Sequence, residues 1–411
     1  MLPSESPPPQ RPPSLLVFYH IPKAGGSTVR EWLLRNAGVR SHGLPARLDG
    51  FVRYYEARCF VCMQLARSLP GHFDDLCGAA DARRELRACR EDYSKGAKRL
   101  RPAAFDLLRR DWWNGGRLAV EFHGPTGESF IKGVLPHAAA LRDLYARYNG
   151  TCTLVTVVRE PVDLLFSSYH MWPPRSDASA TDRDGGTGAG GGGDASGGGA
   201  AQHASSGGQS RGNGVVPFPN WVRGATGLQA GLLTSPSCVE ISHTTGHRNR
   251  CGCDGAMAVA AREAVRRFDL VGVTSCLGAF FDLLEASATI GPVDAPRARL
   301  QRRASRGNIS AGLIRSTPSC TDCTAVERAE HSRWRWEALT RQHQRATLHA
   351  AQCDQPLYNE ALARVQAPLS SATLSIGAPT PAACNPPPRS LAPRPAAAAL
   401  SSSSSVPPES P

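Results

Sequence analysis

The chain has 411 residues, a formal net charge of +12 and a hydrophobic content of 41%. This length suits one large or two modest domains, and the basic balance favours an anionic partner such as a nucleotide or a polyanionic glycan. Nucleic acid, an anionic membrane surface or a mere arginine-rich composition would also account for the charge. No apolar run approaches a membrane span and no basic-then-apolar signal begins the sequence, so we expect either a protein that is soluble inside the cell or a sequence that lacks its true N-terminus.

Composition shifts divide the chain into a core and three biased segments. Residues 1–13 are rich in proline, residues 174–214 in Gly, Ser and Ala, and residues 366–411 in Pro, Ala and Ser. Such segments bury little apolar surface, so we predict that they are disordered or linker-like. The remaining residues, 14–173 and 215–365, suit a single α/β domain that is interrupted by a glycine-rich insertion.

The first predicted strand is followed by a glycine turn and a helix. Leu15–Tyr19 is a continuous apolar run that Pro22 should end, and a helix is predicted over Val29–Asn36 with Ser27 or Thr28 as its cap. Free amides and the helix dipole converge at such a helix N-terminus. The pattern therefore predicts a phosphate-binding loop.

The position of the lysine in this loop is unusual for a nucleotide-binding motif. Lys23 adds a movable cation but precedes Gly25 and Gly26, whereas the P-loop of nucleoside triphosphatases places its lysine after the glycines. The alternative interpretation is an ordinary strand–turn–helix in which the glycines serve only the turn.

Helices are predicted next over Val52–Leu69, Ala80–Arg90 and Pro102–Arg110. The second of these carries a basic side, which is either a solvated helix face or a contact for an acidic glycan: Arg83, Arg84, Arg87 and Arg90. A strand is then predicted over Arg117–Gly124. His123 stands where this strand enters a loop, which suits either a catalytic histidine or a structural one bonded to backbone.

The clearest strand is Cys152–Val158, because of its β-branched run. It follows a helix predicted over Pro136–Tyr148, and Pro161 suits the first position of the next helix, which should run to Trp172. Arg159 then lies at a strand's carboxyl end, where it can bind a phosphate together with Ser167 or form an ion pair with an acid. Further along, a strand is predicted over Leu270–Val273 and helices over Gly278–Ala286 and Arg333–Ala351.

The 13 cysteines bear on the compartment. The C-x-x-C pairs Cys59/Cys62 and Cys320/Cys323 have the spacing of zinc ligands, but they lie far apart in the chain. Disulfides formed in an oxidising compartment are the favoured interpretation, with at least one cysteine left unpaired. Glycosylation sequons begin at Asn149 and Asn308 and add slight weight to it.

Two segments in order resemble a known family. HIPKAGGST (His20–Thr28) and VVREPVDLLFSSY (Val157–Tyr169) are similar to the two cofactor motifs of the Golgi-type sulfotransferases, and the closest likeness is to the heparan sulfate and chondroitin/dermatan uronyl O-sulfotransferase group. The resemblance extends over most of 14–173 and 215–365. Two departures are Leu164, where many relatives have a basic residue, and the lack of their usual membrane anchor.

The resemblance implies a fold, a reaction and a set of site residues. The implied fold is a three-layer α/β architecture, a parallel sheet flanked by helices with a P-loop-like loop for the 5'-phosphosulfate of 3'-phosphoadenosine 5'-phosphosulfate (PAPS). It implies that the 5'-phosphosulfate is cradled by Lys23, Ala24, Gly25, Gly26, Ser27 and Thr28. Arg159 and Ser167 should hold the 3'-phosphate. His123 should be the general base, with Lys23 as the second catalytic group and no metal.

The expected activity is transfer of the sulfuryl group to an acceptor hydroxyl, with a carbohydrate as the favoured acceptor and no nucleic acid as partner. The expected location is the Golgi lumen, with the anchor outside this sequence, and the cytoplasm is the alternative. The rival functions are a non-catalytic polyanion- or nucleotide-binding protein and a nucleotide kinase. An arginine-rich segment, residues 299–306, is either a loop that closes over the nucleotide or a solvated surface loop.

Overall fold

The centre of the fold is a parallel sheet. The computed structural model describes residues 12–37, 48–53, 55–94, 116–124, 127–172, 174, 216–242, 246–287 and 336–372. The strands are β1 (Ser14–His20), β2 (Gly50–Arg53), β3 (Arg117–His123), β4 (Thr151–Val158), β5 (Val239–Ser242), β6 (Gly246–Asn249) and β7 (Leu270–Val273). Five of them form one sheet in the order β2-β3-β1-β4-β7, with every neighbouring pair parallel, and β5 and β6 form an antiparallel pair.

Helices connect the strands. In chain order they are α1 (Gly26–Asn36), α2 (Tyr55–Phe60), α3 (Ala66–Ser68), α4 (Asp74–Gly78), α5 (Ala80–Ser94), α6 (Gly127–Ser129), α7 (Ala138–Ala146), α8 (Pro161–Met171), α9 (Phe218–Trp221), α10 (Leu228–Thr234), α11 (Gly255–Arg266), α12 (Leu277–Ala286), α13 (Arg341–Ala351) and α14 (Gln355–Ala372). Single π-helical turns lie at Val61–Leu65 and Phe130–Val134. Short 3₁₀ turns lie at Leu135–His137, Val222–Gly224, Pro236–Cys238 and Thr274–Cys276.

Both faces of the sheet are covered. Leu16 and Phe18 of β1 pack in one apolar cluster with side chains of α1 and α12, while Leu15 and Val17 pack in a second cluster on the opposite face. All seven residues of β1 are buried, as expected of a central parallel strand. The predicted α/β class, a parallel sheet flanked by helices, is confirmed.

The register of the central strands decides what lies at the carboxyl edge of the sheet. His20, the last residue of β1, pairs with His123, the last residue of β3. On the other side of β1, Tyr19 pairs with Thr156, so β4 runs two residues further before it ends at Val158. The loops after β1, β3 and β4 therefore emerge side by side, at the edge where open α/β sheets bind ligands.

Two predicted helices are wrong in part. Val52 lies in β2 rather than in a helix over Val52–Leu69, because Gly50–Arg53 pairs with β3 and so gains a backbone ladder; the helical segment begins only at Tyr55. In the described part of Arg333–Ala351, the regular helix begins at Arg341, because the Thr340 hydroxyl accepts a hydrogen bond from the His343 amide and caps it there.

The remaining predicted elements that the structure describes are found, Leu270–Val273 with the predicted bounds and the others with shifted ends. The strands predicted over Arg117–Gly124, Cys152–Val158 and Leu270–Val273 are β3, β4 and β7, and four predicted helices correspond to α5, α7, α8 and α12. No element was predicted at β5, β6, α11 or α14, and α14 continues through the predicted boundary at residue 366 to Ala372. The helix over Pro102–Arg110 and the segment 299–306 lie outside the described residues, and so do most of residues 174–214.

Disulfides replace the zinc alternative. Cys59 pairs with Cys89 and Cys62 with Cys77, so the first C-x-x-C pair supplies no thiolates, while Cys320 and Cys323 lie outside the described residues. Two further bridges join Cys238 to Cys251 and Cys253 to Cys353.

Among the described residues Cys152 is a free, buried cysteine, and burial raises its thiol pKa to about 12. In the same part of the chain, no helix is long and apolar enough to cross a membrane.

The bridges should differ in what they contribute to stability. Cys253 and Cys353 are 100 residues apart and Cys62 and Cys77 only 15. Loop-closure entropy then assigns about 4–5 kcal/mol to the first bridge and about 3 kcal/mol to the second. We expect the double variant Cys253→Ser/Cys353→Ser to lose more free energy of unfolding in urea titrations than Cys62→Ser/Cys77→Ser. The reverse order would show that chain entropy does not dominate here.

Candidate functional site

The loop between β1 and α1 ends in an open helix N-terminus. Gly25 is the N-cap of α1 and has a left-handed backbone, with φ of 79°. The amides of Thr28 and Val29 donate to the Gly25 carbonyl, whereas those of Gly25, Gly26 and Ser27 donate to no group in the described part of the chain. The predicted cap is therefore wrong, because α1 begins earlier than expected and its first turn already contains the exposed Ser27 and the half-buried Thr28.

Gly26 is required by close packing. A Cβ at this position would lie 1.9 Å from Cδ2 of His20 and 2.3 Å from its Nε2. The His20 ring therefore lies directly against the first residue of α1, and any side chain at position 26 would displace one of them. Gly25 instead allows the turn through its positive φ, so the two positions require glycine for different reasons.

Lys23 is the cation of this loop. Its backbone is left-handed, with φ of 64°, which is unusual for a residue other than glycine. Its Nζ lies 5.6 Å from the centroid of the Trp172 ring, within reach of a cation–π attraction. Burial, together with the nearby charge of Arg159, lowers the pKa of Lys23 to about 8. The ammonium thus lies over the Trp172 ring in a partly desolvated place.

Arg159 follows β4 directly and reaches across to this loop. Its Nη1 donates to the Lys23 carbonyl at 3.1 Å. The Arg159 backbone is held in turn by the side chain of Gln229 from α10: the Arg159 amide donates to Oε1 at 2.8 Å, and Nε2 donates to the Arg159 carbonyl at 2.8 Å. The residue that follows β4 and the loop that follows β1 are therefore joined just before the N-terminus of α1.

His123 ends β3, and its ring is held by His20. Its Nδ1 lies 3.2 Å from the His20 carbonyl, which can only accept, so the proton of the neutral ring is on Nδ1 and the lone pair is on Nε2. The ring stacks on that of His20 with 4.0 Å between centroids. Burial, reinforced by His20, lowers the pKa of His123 to about 4, so the imidazole is neutral at physiological pH.

A buried ionic cluster lies under His123, and the sequence did not predict it. Glu121 is fully buried in β3, its Oε1 lies 2.6 Å from Nδ1 of His20, and it accepts from Nε of Arg30 at 2.8 and 2.9 Å. Burial alone would raise the pKa of Glu121, but the hydrogen bonds from His20 and Arg30 outweigh it and keep the pKa below its ordinary value. Burial lowers the pKa of His20. The cluster connects β1, β3 and α1 beneath the loop.

The remaining predicted phosphate ligand is less well supported. Ser167 lies in α8, two turns beyond Pro161, and is half-buried; within the described residues its side chain makes no hydrogen bond to Arg159. Leu164, the residue at which the sequence departs from the family pattern it resembles, is buried in the apolar core. The carboxylate of Glu160 caps α8 by accepting from the Asp163 amide at 2.7 Å.

The predicted site residues thus fall into two groups. Lys23, Gly25, Gly26, Ser27 and Arg159 come together at the carboxyl edge of the sheet, with His123 on the neighbouring strand, whereas Ser167 is not joined to them. In the described ranges no group of three or more His, Cys, Asp or Glu side chains is arranged to hold a metal ion. No family model, no curated protein and no solved structure matches the chain.

Proposed function

We propose that the protein is a PAPS-dependent O-sulfotransferase whose cofactor lies on the loop between β1 and α1. The observation that carries the proposal is the position of Arg159: its guanidinium donates to the Lys23 carbonyl at 3.1 Å, beside the open amides of Gly25 and Gly26. A helix N-terminus with two fixed cations suits a ligand with two separate phosphate-type groups. PAPS carries such groups, a 5'-phosphosulfate and a 3'-phosphate.

The reaction would be an in-line transfer. The acceptor oxygen forms a new bond to sulfur while the bond from sulfur to the bridging oxygen breaks, which gives a sulfate ester and adenosine 3',5'-bisphosphate (PAP). Lys23 would neutralise the charge that develops on the departing phosphate, and Nε2 of His123 would take the proton from the acceptor hydroxyl. Positioning and charge stabilisation supply most of the catalysis, as in phosphoryl transfer.

A carbohydrate is the acceptor class that we propose, in the lumen of the secretory pathway. The support is indirect: the net charge of +12 suits an acidic glycan, and exposed arginines lie along α5, namely Arg83, Arg84, Arg87 and Arg90. The disulfides agree with an oxidising compartment.

Thermal-shift measurements with PAP and with ADP plus Mg²⁺ test the cofactor. We expect PAP to raise the Tm and ADP plus Mg²⁺ to have a small effect, because ADP lacks the 3'-phosphate. Stabilisation by ADP alone would favour a nucleotide kinase and overturn the proposal. Labelled PAPS with a panel of desulfated glycans and small alcohols then tests transfer; binding of PAP without any transfer would leave a non-catalytic nucleotide-binding protein.

Lys23 should impose a pH dependence on PAP affinity. Its pKa of about 8 means that the ammonium is present below this pH and is lost above it. Because the bound anion favours the charged form, the Kd for PAP should rise about tenfold between about pH 7.5 and pH 9. Lys23→Arg should give a nearly flat profile over this range, since guanidinium stays protonated. A fall of equal size in both proteins would assign the titration to another group.

A further inference from the structure

We propose that Gln229 is a positioning residue of the nucleotide site and that it acts through Arg159. The effect on nucleotide binding rests on the proposed function. The hydrogen bonds from which the role of Gln229 is argued do not depend on that function. Gln229 is fully buried in α10, far in sequence from both Arg159 and Lys23. Within the described residues, the hydrogen bonds of its side chain go to the backbone of Arg159 alone.

The side chain of Gln229 continues β4 beyond its last residue. Its amide group accepts from the Arg159 N–H and donates to the Arg159 carbonyl, both at 2.8 Å, which is the pairing that a neighbouring strand would offer. The backbone of Arg159 is therefore fixed although β4 ends at Val158. With its backbone held, the guanidinium can reach the Lys23 carbonyl in one orientation.

Gln229 is itself held from the other side. The carboxylate of Asp354 accepts hydrogen bonds from the backbone N–H groups of Gln229, at 3.2 Å, and of Ala230, at 2.8 Å. It thereby caps the N-terminus of α10. Asp354 follows Cys353, whose bridge to Cys253 packs against Gly227; a Cβ on Gly227 would lie 3.0 Å from the sulfur of Cys353. A continuous set of contacts thus runs from the disulfide through α10 to Arg159 and Lys23.

This arrangement is specific to an amide. A buried side-chain amide is unfavourable unless both its donor and its acceptor are paired. Both groups of Gln229 are paired with the backbone of one residue, Arg159. A methionine of similar size would fill the same space without fixing Arg159. The comparison of Gln229→Met with the wild type therefore separates packing from positioning.

A double-mutant cycle on PAP affinity tests the proposal. We expect Gln229→Met to weaken PAP binding about tenfold in the wild type and less than about twofold in an Arg159→Ala background, because the two residues then act on the same contact. Gln344→Met is the matched control: Gln344 is a buried amide that donates to the Trp336 carbonyl, away from this loop. An equal loss from Gln229→Met in both backgrounds would refute the proposal. If Gln229→Met does not fold, Gln229→Asn, whose shorter amide cannot reach Arg159, takes its place.

A second readout does not need the ligand. The chain has Lys23, Lys95, Lys98 and Lys132 as its lysines, so ¹³C-methylation and NMR can follow the Lys23 pKa, with Lys23→Arg for assignment. Since the charge of Arg159 helps to lower this pKa, Gln229→Met and Arg159→Ala should each raise it from about 8, and Gln344→Met should not. A wild type that does not bind PAP, with this pattern intact, would refute the proposed function only. An unchanged Lys23 pKa in Gln229→Met would refute the positioning role.

Discussion

His123→Ala is expected to bind PAP as the wild type does and to lose about 10²–10⁴-fold in turnover, which is the usual contribution of a general base. The Nδ1 proton of His123 is committed to the His20 carbonyl, so Nε2 is the atom that can take a proton. Removing the ring leaves Lys23, Arg159 and the helix N-terminus in place. Single-turnover rates with PAPS and calorimetric titration with PAP measure the two quantities separately.

A surface histidine serves as the control. His137 packs edge-to-face on Phe73 at 5.7 Å, in the 3₁₀ turn before α7, and His137→Ala should leave both turnover and PAP affinity unchanged. If His123→Ala keeps its turnover, His123 is not the base. If it loses PAP affinity to the same extent as turnover, the ring supports the loop rather than the chemistry.

The low pKa of His123 sets a further expectation. A base with a pKa of about 4 is neutral over the physiological range but accepts a proton weakly. The negative charge of a bound phosphosulfate would raise this pKa, so the base should be stronger in the complex than in the free protein. The loss of kcat at acid pH should therefore set in at a higher pH than the loss of kcat/KM, because kcat reports the complex and kcat/KM the free protein.

The parts that the sequence predicted correctly are those with strong local signals. β1 contains a near-continuous apolar run, β4 is rich in β-branched residues and Pro161 marks the start of α8, so the sequence places Lys23 and Arg159 after strand ends. The short apolar run of β3 places His123 at a strand end in the same way. Strand ends of a parallel sheet share one edge, which brings these residues together without knowledge of the register. β2 was missed because four residues of mixed character look equally helical, and only pairing with β3 decides their structure.

The second layer of the site depends on contacts that no local pattern encodes. Gln229 meets Arg159 across a sequence separation of 70 residues, and Asp354 meets Gln229 across 125. The sequence does contain one signal for the buried ionic cluster: Glu121 is a carboxylate between the apolar residues Val120 and Phe122 of β3. A parallel strand covered on both faces cannot bury such a group without a cationic or donor partner, and the partners stood at the same edge, in the HIPKAGGSTVR segment.

Glu121→Gln is expected to destabilise the protein by about 3–5 kcal/mol, because it leaves the partly buried Arg30 without its charge partner. The matched control is Glu31→Gln in α1, the helix that carries Arg30; it removes an exposed pair with Arg35 and should cost at most about 0.5 kcal/mol. Urea titrations of both variants at neutral pH provide the comparison. Equal losses would mean that the buried cluster contributes no more than a surface pair.

The pH dependence of that loss identifies its cause. The pKa of Glu121 is lower in the folded protein than its ordinary value of 4.5, so its stabilisation is present above that value and is lost as the pH falls through the folded pKa. The difference in unfolding free energy between wild type and Glu121→Gln should therefore shrink in acid. A gap that stays constant with pH would assign the loss to packing. A gap that closes would assign it to the ionised carboxylate, which holds His20 against Gly26 and so keeps the loop and His123 in register.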